Sequence, residues 1–305
     1  MTATTLTALK AAKTSLLLKP LDAAVFLAPW PTAAPTAFTD TSSALQPLPV
    51  AFQSVGFIDK KTGIAFARNI TDDPIESYGE LEPTRDDVTS DITTIEFEPQ
   101  ETRLATLQLT NNANLAAVLA NGASGEYFFA QPLYPQIQYY SCIIIGKDGN
   151  DAAPIYVYKV MPKVAVTKYG GEQWTPTTTL SQKLTLTAFK DDAAGYAVGH
   201  GFAGTGWKNL LVAAGIPYTV TGINVTPATA SLVHSPAGTQ QLVVTDQLGG
   251  TLTTGVTYVS SVTATATVSG SGLVTAVAAG STVVTASFTP AGGSPLTATC
   301  TVTVT

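Results

Sequence analysis

A strict two-residue alternation near the C-terminal end constrains this chain more than any other feature. In "LTATCTVTVT", Leu296, Ala298, Cys300, Val302 and Val304 alternate with Thr297, Thr299, Thr301, Thr303 and Thr305. Successive side chains of an extended strand point to opposite faces, so the pattern describes a strand with one buried and one wet face. "VTATATV" (262–268) repeats the device, with Val262, Ala264, Ala266 and Val268 on the apolar side. In "STVVTASF", Val284, Ala286 and Phe288 are expected inward and Thr285 and Ser287 outward. Threonine suits the wet face because β-branching favours extended backbone while its hydroxyl is solvated. Between these strands lie "DQLGG", "SGSG" and "PAGGSP", which are turn compositions. Short alternating strands joined by such turns predict a β-sandwich.

The charge map sets its boundary. No Lys or Arg follows Lys208, and the sole acid beyond it is Asp246. "AAGIPYTVTG" (213–222) carries Pro217 and two glycines as punctuation, so the chain divides into residues 1–217 and 218–305. A length of 305 residues supports two separate cores. Cys142 and Cys300 fall on opposite sides of the division and are expected as small core residues, not as a disulfide.

Residues 1–217 are expected to be mostly β with one helix. "NNANLAAVLANG" (111–122) offers Asn111 or Asn112 as N-cap, Leu115, Val118 and Leu119 at helical spacing, and Asn121-Gly122 as a stop. "YYSCIIIGKDGNDAAPIYVYKVM" (139–161) is two apolar runs around turn chemistry and predicts a hairpin. "LSQKLTLTAF" predicts a strand with Leu180, Leu184, Leu186 and Ala188 on one face. "APWPTAAPTAFTDTSSALQPLP" is too rich in Pro, Thr and Ala for a core strand, and an extended arm or long loop is expected at about 29–49. In "KTSLLLKPLDAAVFLAP", Lys19, Pro20 and Asp22 interrupt any apolar signal core, so a short helix followed by an extended arm is expected in place of a targeting peptide. No apolar run reaches the length of a membrane span, so no membrane insertion is expected.

Chemistry is sparse. A net charge of −6 disfavours duplex binding through the bulk surface, which needs Lys and Arg to displace counterions. His200 lies among Gly199, Gly201, Gly204 and Gly206, and His234 in an expected loop; neither stands in a metal-ligand spacing. The glycines lack the Lys-Ser/Thr of a phosphate loop, and no G-x-S-x-G elbow occurs. No catalytic, cofactor-binding or metal residue is assigned, and no enzyme activity or cofactor is expected. The notable stretch is Arg68 to Arg103, where eleven acids face three arginines for a local charge of −8. Three readings compete for it: paired carboxylates for glycoside hydrolysis beside Tyr78, calcium at Asp86, Asp87 and Asp91, or a solvated loop and strand. The spacing fits no calcium loop, which favours the solvated reading. If identical copies closed a ring around this segment, its charge would keep DNA from adhering.

Two resemblances extend these readings. "INVTPATASLVHSPAGTQQLVVT" and "VTYVSSVTATATVSGSGLVTAVAAGSTVVTASF" resemble the group 2 bacterial immunoglobulin-like domain, with Tyr258 where many members carry tryptophan. This implies an appended sandwich module of surface-exposed proteins. From Val55 to Trp207, "GFIDKKTGIAFAR", "GELEPTRDDVTSDITT", Glu101-Thr102 before a helix, "YYSCIIIGKDG", "PKVAVTK", "EQWTPTTTLSQKLTLTAFKDDAAGYA" and "GTGW" follow in the order of the major tail proteins of long-tailed bacteriophages, closest to those of actinobacterial phages. The resemblance implies a β-sandwich or barrel with one flanking helix. It further implies hexameric rings stacked around a tape-measure protein, terminator and tail-tip partners, and a lumen through which genome DNA passes. The immunoglobulin-like domain would decorate the outside and contact the host surface. The rival expectation is a bacterial surface adhesin, against which stand the single module and the expected lack of signal and anchor.

Overall fold

The computed structural model describes residues 5–305, among which residues 18–208 form one compact unit and residues 5–17 with 209–305 another. The larger unit holds strands β1 (Asp22–Pro29), β2 (Gln53–Ser54), β3 (Ile64–Ile75), β4 (Arg85–Phe97), β5 (Tyr139–Asp148), β6 (Ile155–Tyr169), β7 (Leu184–Phe189) and β8 (Gly199–Ala203). They build one sheet in the order β2-β1-β5-β6-β7-β4-β3, with β8 also on β6. β6 is long enough to serve two partners on one side, β8 through Tyr156–Val160 and β7 through Lys163–Tyr169.

Both faces of this sheet are covered, which explains the unbroken apolar run in β5. Cys142 and Ile144 pack with Val25, Leu27, Phe97, Leu184 and Leu186 on one face, while Ile143 and Val160 pack with Ala28, Phe38 and Phe52 on the other. A strand buried on both sides reads as continuous hydrophobicity, without alternation. The predicted hairpin is present as β5 and β6, closed by Gly149 at φ +78°, where an added Cβ would lie 2.6 Å from the Ala153 carbonyl oxygen.

Three expectations need correction. The helix expected at 111–122 does not form; α2 instead spans Leu104–Asn111, after the short N-terminal α1 (Leu6–Lys10). Asn112, expected as an N-cap, is the C-cap at φ +47°, its N–H bonded to the carbonyls of Gln108 and Leu109. Asn side chains tolerate the left-handed region and compete for backbone groups, and Asn114 and Asn121 accept from Ala116, Ala123 and Ser124 in place of helical bonds. Leu115 is buried all the same, whereas Leu119 is exposed. At the N-terminal side, the expected helix shrinks to a 3-10 turn at Thr14–Leu16, and the expected arm contains β1, which pairs with β5 along eight residues. In the β7 region Leu184, Leu186 and Ala188 are buried as predicted, but Leu180 lies outside the strand and is exposed.

The Pro-rich stretch after β1 carries only an isolated bridge, Thr39 to Leu45, before β2. It is held to its own sheet by Phe38, buried with its ring centroid 4.2 Å from that of Tyr158. At its root Trp30 Nε1 donates to Asp191 at 2.7 Å, and the Lys163 ammonium lies over the rings of Trp30 and Tyr139. Phe38→Ala should cost about 3 kcal/mol in chemical denaturation, through lost burial plus the cavity left behind. The same change should bring proteolytic cuts between residues 30 and 52.

The smaller unit contains α3 (Thr205–Ala214) from Asn209 onward, and strands β9 (Ile223–Thr226), β10 (Thr229–Leu232), β11 (Thr239–Gln241), β12 (Val243–Asp246), β13 (Val256–Ser260), β14 (Ala266–Val268), β15 (Leu273–Ala276), β16 (Gly280–Phe288) and β17 (Leu296–Val304). They form sheets β10-β17-β16-β13, β11-β15-β14 and β12-β9 around one core. β17 alternates as expected, with Cys300, Val302 and Val304 buried and the threonines exposed. Val284 and Ala286 are fully buried opposite Cys300 and Ala298. "VTATATV" does not form one strand, because residues 262–265 turn before β14 begins. The turn is closed by hydroxyls: buried Ser260 donates to the Ala266 carbonyl at 2.8 Å, and Thr282 Oγ1 accepts from the Val262 amide at 2.9 Å. Tyr258 packs against the core and its ring lies over Gly272, where an added Cβ would meet Cζ at 2.8 Å.

Asp246, the only acid of this region, is buried and accepts from Tyr218 Oη at 2.5 Å, Leu248 N at 2.8 Å and Gly250 N at 3.0 Å. Burial alone would raise its pKa, but these bonds outweigh it and hold the carboxyl below its ordinary value of 3.8. The partner phenol of Tyr218 is pushed up to about 12, chiefly by the same hydrogen bond. A carboxyl depressed in the folded state stabilises fully above its unfolded pKa, and that contribution is lost as pH falls through the folded value. Asp246→Asn should cost about 2 kcal/mol at neutral pH. Thermal melts of the smaller unit should also vary less between pH 7 and pH 2 in this variant than in the parent chain.

Candidate assembly surface

The acidic run of the sequence folds into the longest exposed feature of the larger unit. β3 and β4 pair antiparallel from Ile64↔Phe97 to Ile75↔Arg85, with a bulge after Thr71. Only the last four residues of β4, Thr94–Phe97, pair with β7, so the remainder of the hairpin extends beyond the sheet. At about 3.3 Å per residue the twelve residues of β3 span about 40 Å. Every β3 residue after Ile64 is exposed. Its outer edge has no strand partner among the described residues.

The hairpin is acidic and apolar at once. Ile70, Ile75, Val88 and Ile92 are between 45% and 67% exposed, and Tyr78 and Leu81 at the tip are fully exposed. In the sequence these apolar side chains stand among carboxylates that dominate the composition, and no alternation sets them apart. A long and partly apolar edge strand is a template for pairing with another chain, which stable monomers usually blunt. Exposed apolar side chains also line the segments after α2 and before β7, including Phe128, Leu133, Tyr134 and Trp174.

The sequence candidates for chemistry are spread apart or engaged. Asp91 forms a two-point pair with Arg68, at 2.8 Å to Nε and 2.6 Å to Nη2, and the guanidinium holds its carboxyl below the usual range. Asp87 bonds Arg85 at 2.8 Å, while Asp87 and Asp73 stand directly opposite each other across the strands. No cluster of three or more His, Cys, Asp or Glu able to hold a metal occurs among the described residues. Tyr78 stands at the tip with its side chain fully exposed. The solvated-strand reading of the acids therefore describes their surroundings.

His200 lies on β8 opposite Lys159, with Nδ1 3.1 Å from the ammonium. Burial, then the nearby charges of Lys159 and Arg68, lower its pKa below the ordinary value of 6.5. Lys159 is itself lowered by burial and lies over the Phe66 ring at 4.4 Å, tying β6 to the root of the hairpin. The glycines around His200 are packing devices: Gly201 lies under Tyr158, and Gly204 and Gly206 lie against the backbone of Ala153 and Pro154. His234 Nδ1 meets the Thr305 carbonyl at 3.1 Å. Cys142 and Cys300 are buried free thiols, and burial raises both, Cys142 to about 12.

Comparison with known families agrees with this arrangement. A model of the phage tail tube protein family matches residues 10–198, and a model of the bacterial Ig-like domain (group 2) matches residues 219–298. No curated protein matches the chain. The first match separates the tail reading from the adhesin reading, which rested on the Ig-like module alone. The tail tube family is structural and non-enzymatic. The chain belongs to the phage tail tube protein family, as a structural component of the virion tail that self-assembles into a tube and carries a group 2 bacterial Ig-like domain behind its tube-forming part.

Proposed function

We propose that this chain is the major tail tube subunit of a long, non-contractile tail, of the type found in actinobacterial phages. Six copies close a ring, and rings stack around a tape-measure protein between a tail tip and a terminator. The tube is assembled in the host cytoplasm and later conducts the genome. The observation that carries this reading is the β3/β4 hairpin, an unpaired edge of twelve residues with apolar side chains. Closure needs a heterologous contact whose rotation returns on itself, and an open strand edge supplies one half of it. Asp73 and Asp87, which stand across from each other on one face of the hairpin, would line the lumen, where negative charge lets DNA slide without adhering.

In this proposal the domains meet at 217/218 and the Ig-like domain faces outward, free to touch the host surface. Its solvent faces carry hydroxyls in place of charges, as in Thr297, Thr299, Thr301 and Thr303. The test is electron microscopy of tubes from the full chain and from residues 1–217. Six-fold end views, with outer knobs that vanish on truncation, are expected. A different symmetry, or loss of tubes on truncation, would contradict the proposal.

A further inference from the structure

The N-terminal segment leaves three of its leucines uncovered among the described residues, while Leu16 is half-buried. No residue of α1 is buried, and Leu6, Leu9 and Leu17 are 80%, 70% and 78% exposed. Residues 1–21 contain Lys10, Lys13 and Lys19 and no acid, so the stretch is cationic as well as apolar. The hairpin tip is its complement. There Tyr78 and Leu81 are fully exposed between Glu76, Glu80 and Glu82, none of which takes part in an ion pair among the described residues. Neither surface is satisfied as it stands, and each offers what the other lacks: leucines for the Tyr78 and Leu81 side chains, ammonium groups for three carboxylates.

We propose that residues 5–17 of one copy dock on the hairpin tip, residues 75–82, of a second copy. The inference rests on the self-assembling reading of the chain and adds to it the identity of one contact. A tip about 40 Å from the hairpin root reaches well beyond its own sheet. Each copy donates a segment and receives one, so the contact is heterologous and propagates. Opposite charges set register and partner, while the buried leucines supply most of the affinity. Lys13 is available at small cost, because its only described bond is from Nζ to the exposed Ala213 carbonyl at 2.8 Å.

Charge exchange between copies tests this. One variant carries Lys10→Glu and Lys13→Glu, the other Glu80→Lys and Glu82→Lys. All four positions are exposed, so each variant should melt like the parent chain. Alone, each places like charges at the contact and should give at least tenfold less polymer by sedimentation than the parent at low salt. Mixed in equal amounts, each segment meets a tip of opposite charge, and polymer should return. Parent-like assembly of either variant alone would overturn the proposal. So would failure of the mixture, which would place the charges in a contact within one chain or in no contact. Parent chain that forms no tubes under any condition would instead count against the tube reading, so the two failures are distinguishable.

Discussion

Val284→Asp should unfold the Ig-like domain and leave the tube-forming unit intact. Val284 is fully buried on β16 between Ser260 and Cys300 of the flanking strands, among Ala266, Val274 and Val302. Among the described residues after Lys208 there is no Lys or Arg to pair a new carboxylate. An unpaired charge in such a core costs about 4 kcal/mol or more, against about 5–15 kcal/mol for the whole stability of a domain. The thermal melt should lose the transition that belongs to residues 218–305 and retain the other. Tubes should still form, without ordered knobs. A single transition lost as a whole would show that the two units share one core.

The second large effect concerns assembly. Ile70 and Ile92 are 51% and 45% exposed in the subunit and lie on opposite faces of the hairpin, because Ile70 stands across from Asp91 and Ile92 across from Asn69. Replacing both with Asp should change subunit stability little. In a tube that covers either face against a neighbour, each copy would bury an unpaired charge at a cost of about 3 kcal/mol. Each 1.4 kcal/mol is about tenfold in an equilibrium constant, so the concentration needed for polymer should rise at least about a hundredfold. Light scattering against concentration measures it. Unchanged assembly would mean that the hairpin faces stay wet in the tube.

Much of the fold was legible wherever burial was one-sided. β17 and the inner half of β16 follow their alternation residue by residue, and Asn150 and Gly149 mark the β5–β6 turn. Legibility failed where side chains compete for the backbone. Asn111 and Asn112 have the composition of a helix start and close one instead, and the hydroxyls of Ser260 and Thr282 bend "VTATATV" out of its pattern. β1 was missed because its apolar run follows Lys19 and Pro20, which mask a strand supported only by β5 and β2. At the assembly surface, charge was visible in the sequence but exposure was not. Ile70, Val88 and Ile92 stand among carboxylates and threonines in the sequence, and only the extension of the hairpin past β7 shows that the sheet of this unit does not cover them.

Hydrogen exchange at β3, compared between free subunit and assembled tube, tests the central claim most directly. Residues 65–75 are exposed in the subunit and paired on one side only, so their outward amides should exchange quickly there. If the hairpin edge builds the tube, those amides become protected on assembly while the amides of β16 and β17 in the Ig-like core stay as they were. Tubes in which residues 65–75 exchange as fast as in the free subunit would contradict the account and move the tube-forming contacts elsewhere on the larger unit.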